Sequence, residues 1–206
     1  KGLKLGDWVS YQREAFNRDE SSKKLKLSKD KSDLLKKTFP DWSWDPIEDI
    51  WWKNFEALKE YYKEFETSLI PKNDKYKGLK LGDWVSYQRS AFKRDESSKK
   101  PKLSKDKSDL LKKTFSDWSW DPIEDIWWKN FEALKEYCKE FGTSQVNYYH
   151  KFKGLELGVW VSYQRSAFKR DELSKKPKLS KEKSDLLEKT FDDWSWDSKE
   201  DLWKNK

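Results

Sequence analysis

Arginine is used sparingly in this 206-residue chain, and its placement is the first pointer to chemistry. Of 45 lysines and arginines only six are arginine: Arg13, Arg18, Arg89, Arg94, Arg165 and Arg170. They fall at just two positions of one recurring segment, while lysine serves as the cation everywhere else. Such positions select a planar guanidinium, which binds phosphate bidentately, reads a guanine edge or stacks on an aromatic ring. Arg89 lies beside an apolar stripe, so packing on Trp84 or a neighbouring helix is as open to it as contact with nucleic acid. Arg94 falls on the opposite face with Ser86, Tyr87, Ser90 and Lys93, where helical periodicity predicts exposure. Just beyond it Lys99, Lys100 and Lys102 form a cluster suited to phosphate contact and equally to solvation. Lys169, Lys175, Lys176 and Lys178 repeat that pattern later in the chain and complete the expected nucleic-acid-binding set.

Charge distribution supports the same direction. The net charge of +7 is modest, but residues 79–115 carry +6 and residues 116–142 carry −4. One part of the unit can therefore face a phosphate backbone while the other is held away from it. Mixed Lys/Glu faces that simply solvate helices are the blander reading. Gln88 resembles an adenine-reading residue, but it shares a stripe with Trp84, Val85 and Phe92, which predicts a buried Gln bonded to a loop backbone. The early acids Asp106 and Asp109 argue against taking the following helix as a recognition helix.

Little here resembles an enzyme, and no cofactor is implied. His150 is the sole histidine and lies in a variable loop, where a surface role is expected. Cys138 falls on a core-facing position occupied by Tyr62 one repeat earlier, which argues against a nucleophile. There is no Gly-x-x-x-x-Gly-Lys-Ser/Thr loop, no metal-ligand cluster and no defensible carboxylate pair. A single cysteine rules out an internal disulfide framework and fits a reducing compartment. No apolar run approaches a membrane span, so a soluble, cytoplasmic or otherwise intracellular protein without membrane contact is expected. The start at Lys1 without Met makes a piece of something longer the expectation.

The elements that must position these residues come from a repeat. LGDWVSYQR at residues 5–13 recurs at 81–89 and returns as LGVWVSYQR at 157–165, a period of 76. A period this long exceeds the solenoid range of roughly 20–50 residues and implies a small domain per repeat. Composition is divided: 40% charged and 34% hydrophobic leans towards disorder, but 14 Trp and 11 Phe at fixed offsets can hold small cores together. In the second copy Asp121-Pro122 caps a first helix, with Ile123, Trp127, Phe131, Leu134, Cys138 and Phe141 on one face and Gly142 at its end. A divergent loop follows: residues 68–76 read SLIPKNDKY, and 144–152 read SQVNYYHKF. A second helix is expected from about Leu81 to Arg94, and a third from the Ser104 cap carrying Leu110, Leu111 and Phe115 inward. Trp118 and Trp120, with period-two spacing, either close the module's base or wedge between modules. Trp127 is central on the buried face. Trp128 sits about 100° away, for packing on a neighbour, stacking on a base or covering surface.

This order of residues resembles the helicase-associated domain family. The resemblance rests on Trp128, Phe131, Leu134, Tyr137, Gly142 and Val146, then Leu157, Gly158, Trp160, Val161, Gln164 and Arg165, and finally Leu186, Leu187, Phe191 and Trp194. It implies tandem three-helix domains, in some cases appended to helicases and thought to bind nucleic acid. Asn147 in place of Pro71 and Glu66 in place of Gly142 are departures. The expectation is thus an all-α chain of tandem three-helix modules. An incomplete module of two helices spans 1–45, full modules span 46–121 and 122–197, and 198–206 opens a truncated next helix. An alternative phase, with the second and third helices preceding the first, fits the chain's start but breaks its last unit. The function expected is a nucleic-acid-binding array, DNA favoured, with a helicase or other protein as a further partner. The rival is a protein-interaction scaffold that selects partners through the divergent loops.

Overall fold

The computed structural model describes residues 4–19, 21–171 and 173–197. The expected start of a further helix at 198–206 lies outside the described residues. Eight α-helices are present among them and no strand: α1 (Leu5–Phe16), α2 (Lys29–Thr38), α3 (Pro46–Phe65), α4 (Leu81–Phe92), α5 (Lys105–Thr114), α6 (Pro122–Phe141), α7 (Leu157–Phe168) and α8 (Lys181–Thr190). The chain divides into two compact units, Lys1–Trp120 and Asp121–Lys206.

Local chemistry sets the helix ends. Asp45 and Asp121 accept from the backbone N–H of Glu48 and Glu124, with Pro following at the first helical position and acids in the first turn. Both helices end in a left-handed residue, Gly142 in α6 and Glu66 in α3 (φ 56°). Glu66 accepts there a conformation that glycine adopts without strain. The Ser104 and Ser180 side chains cap α5 and α8. Between α3 and α4, Lys77 and Gly78 both take positive φ, so Tyr76 and Leu79 exchange two backbone hydrogen bonds across a two-residue turn. Lys153 and Gly154 repeat this turn before α7.

One core collects Trp51, Phe55 and Leu58 of α3 with Leu81 and Val85 of α4, Leu111 of α5, and Phe115 and Trp118. The second collects Trp127, Phe131, Leu134 and Tyr137 of α6 with Leu157 and Val161 of α7, Leu187 of α8 and Phe191. Each fully buried aliphatic or aromatic side chain of these cores contributes about 1.5–3 kcal/mol. The predicted first-helix stripe holds in its centre and fails at its ends. Ile123 and Phe141 are exposed, and Tyr137 is buried instead. At the first of these ends an open groove separates Ile123 from α7, so periodicity alone overstates the core. The Trp-x-Trp segment folds onto its own module: Trp118 is buried, and Trp120 stacks on Phe92 with ring centroids 3.9 Å apart.

Candidate nucleic-acid interface

The first arginine position is a clasp. Arg13, Arg89 and Arg165 donate from Nε to the carbonyls of Ser43, Ser119 and Ser195 at 2.8, 2.9 and 2.8 Å. Each guanidinium also lies over an indole, Trp42, Trp118 or Trp194, at 5.4, 5.1 and 5.3 Å. The cation–π pairing and the carbonyl bond explain why lysine does not serve here. Of the two roles open to Arg89, packing is the one realised, on Trp118 rather than Trp84. Burial lowers its pKa from the usual arginine value, and Asp117 works against that shift.

The second arginine position corrects the sequence expectation. Helix α4 stops at Phe92, so Arg94 lies beyond it and a helical wheel no longer places its side chain. It turns inward instead. Arg94 Nη1 donates to the Pro101 carbonyl at 2.5 Å, and its guanidinium covers the Tyr87 ring at 4.7 Å. Arg170 does the same with Pro177 and Tyr163. Arg18 reaches the Leu25 carbonyl and lies over Tyr11. Helped by the Leu103 N–H bond to the Ala91 carbonyl, these contacts brace the loop that carries the lysines.

The lysines are what that loop presents. Lys99, Lys100 and Lys102 are exposed, as are Lys175, Lys176 and Lys178, and none has an ion-pair partner among the described residues. Lys93 is exposed just past the end of α4, and Lys169 is paired with Asp197 at 3.1 Å. Two acids of the first helices are bound within the fold. Glu48 and Glu124 take Lys107 and Lys183, which also lie over Trp51 and Trp127 at 4.9 and 4.7 Å.

Gln88 is buried as expected, but its partner is a side chain. Its Oε1 accepts from Trp51 Nε1 at 3.1 Å, and Gln164 accepts from Trp127 at 3.0 Å. The loop contact comes instead from Asp117 and Asp193, whose structural role sequence reasoning missed. They accept from the Ser68 and Ser144 backbone N–H groups and from the Thr67 and Thr143 hydroxyls. Burial pushes the Asp117 and Asp193 carboxyls up, but these hydrogen bonds outweigh it and leave both below the usual aspartate value. A Thr-Ser pair facing an Asp about 50 residues on was the available signal. His150 is half-buried against Tyr137 and Phe141, not fully on the surface. Burial raises the Cys138 thiol to about 11, which keeps it protonated near neutrality. No His/Cys/Asp/Glu group among the described residues could hold a metal ion. No described helix is long and apolar enough to cross a membrane.

The sequence pattern described as Helicase associated domain matches residues 48–121 and again residues 124–197. The chain belongs to that family. No curated protein and no solved structure gives a significant match. Each helicase associated domain match takes in one long helix and two short ones, α3 to α5 and then α6 to α8. The phrase Leu157-Gly158-x-Trp160-Val161-x-x-Gln164-Arg165 gains a physical meaning on this scaffold. Leu157 and Val161 are core, Gln164 holds the α6 indole and Arg165 holds the closing segment. Gly158 is required because a Cβ there would stand 1.9 Å from the Asn147 carbonyl oxygen.

Proposed function

We propose that this chain is a non-catalytic, sequence-tolerant nucleic-acid-binding array, DNA being the favoured ligand, that grips phosphates through the lysine loops after its second helices. The observation that carries this reading is the braced loop itself. The arginines are spent on holding its shape, while Lys99, Lys100 and Lys102 and their counterparts Lys175, Lys176 and Lys178 stand outward without carboxylate partners. A preformed cation cluster loses less side-chain and loop entropy on binding than a flexible tail would. Half of the acidic surplus of residues 116–142 sits on α6, whose Glu124 is already paired with Lys183. In the cell a helicase or another protein is the expected companion.

The test is fluorescence anisotropy of the 206-residue chain with labelled DNA across a salt series. Log affinity should fall linearly with log salt. Replacing the six loop lysines by Gln should flatten that slope by roughly 0.7–0.9 for each phosphate that is no longer neutralised. Absence of salt-dependent binding near physiological ionic strength would sink the proposal. A second reading is favoured by one difference between the loops: Tyr148 and Tyr149 are exposed where the earlier copy has Lys72 and Asn73. A protein scaffold would use that divergence, and exchanging residues 68–76 and 144–152 would then change partner capture while DNA had little effect.

A further inference from the structure

Two exposed isoleucines open each first helix, and the core does not account for them. Ile47 and Ile123 are each 81% exposed, and Ile50 and Ile126 are exposed beside them. Each pair forms one wall of a groove of about 440 Å³ in the first complete module and about 460 Å³ in the second. Trp84 and Tyr87 line the first groove and Trp160 and Tyr163 the second, with Lys102 or Lys178 on the lip. Among the described residues lining either groove there are two lysines and no carboxylate. Lys102 and Lys178 therefore belong at once to an apolar groove and to the lysine loop.

From this juxtaposition we infer that the grooves are base sites for single-stranded nucleic acid, one per complete module. The inference rests on the nucleic-acid reading above and names its ligand class. A duplex offers phosphates and groove edges but keeps its base faces stacked, so it has nothing to place between Ile47 and Tyr87. A single strand carries apolar, planar faces one phosphate away from the charges that the lysine loop meets. Lys102 and Lys178 fit an occupant whose apolar part is tethered to anions, while the carboxylates next to the grooves, Glu48 and Glu124, are taken up by Lys107 and Lys183. Indole and phenol walls accept any base face, in keeping with a sequence-tolerant binder.

The test uses the whole chain and three labelled ligands of equal length: an oligothymidylate, an abasic strand of the same phosphate count, and a duplex. The thymidine strand should bind at least about fivefold more tightly than the abasic strand, the lower end of what base stacking contributes. Ile47→Gln with Ile123→Gln should remove most of that difference and leave abasic binding unchanged. Both positions are exposed, and far-UV circular dichroism of the variant should match the parent. Equal binding of thymidine and abasic strands, or an unchanged preference in the variant, overturns the base site while the phosphate reading stands. Failure of all three ligands to bind in a salt-dependent way overturns both.

Discussion

Helices α1 and α2 are near copies of α4 and α5, yet the same side chains have different fates. Leu81 is fully buried while Leu5 is 66% exposed, and Phe115 is 1% exposed against 46% for Phe39. Gln88 holds the Trp51 indole, whereas Gln12 borders an open cavity of about 300 Å³ with Trp8, Lys31, Leu34 and Phe39. What differs is α3, which packs on α4 and α5 and delivers Trp51, Phe55 and Leu58 to their core. The internal bonds that do not need a first helix survive in both regions: Arg13 clasps Ser43 as Arg89 clasps Ser119, and Phe16 stacks on Trp44 as Phe92 stacks on Trp120. A helix pair of this kind thus carries its own closing hardware, while its core is supplied from outside.

Paired substitutions put that comparison at risk. The largest contrast is expected at glycine. Gly82→Ala places a Cβ 1.9 Å from the Pro71 carbonyl oxygen and should destabilise the first unit by about 2–3 kcal/mol or more. Gly6→Ala meets nothing within 4 Å and should be neutral or stabilising by up to about 1 kcal/mol, since it replaces a helical glycine. Urea melts of the two variants check this, and equal losses would break the comparison. Next, Gln88→Leu leaves the buried Trp51 N–H without an acceptor and should cost about 1–3 kcal/mol, whereas Gln12→Leu should leave the melting curve nearly unchanged.

A smaller effect sharpens the contrast between the two complete modules. In the second, Gln145 accepts from Arg165 Nη2 at 2.8 Å and donates to the Asp193 carbonyl. In the first, the corresponding Leu69 leaves Arg89 Nη2 buried without a partner. Leu69→Gln should therefore stabilise the first unit by about 0.5–1.5 kcal/mol, read as a shift of its thermal midpoint. An unchanged midpoint would mean that the buried N–H is already satisfied by water.

Most of the fold was legible because its signals are local. The Asp-Pro and Ser caps, the glycine at 142 and the Trp127-Phe131-Leu134 spacing act within one or two helical turns, and the structure has helices at each. The candidate site was less legible because it depends on where a helix stops. Two residues of overestimate at the end of α4 turned Arg94 from a loop brace into an apparent surface cation. Arg89 was ambiguous for a different reason: its partners, Trp118 and the Ser119 carbonyl, are about 30 residues away and no pattern in α4 announces them. Ile123 looks like core on a helical wheel because periodicity records a face and not its partner.

The lock between α3 and its acceptor has a consequence for how the chain finds its fold. Trp51 and Glu48 meet Gln88 and Lys107, and the same two receptors recur as Gln12 and Lys31. Trp51 is 37 residues from Gln88 and 39 from Gln12, so the entropy of closing either loop is equal to within about 0.1 kcal/mol. The near-identity of the repeats in this sense gives α3 a degenerate address, and a folding landscape with two nearly matched basins is a frustrated one. Discrimination falls to the connection itself: α3 runs through the 68–76 loop into α4, and there the Pro71 carbonyl seats on Gly82 and the Ser68 N–H on Asp117. The divergent loop between α3 and α4 is therefore also the arbiter of which neighbour each first helix joins.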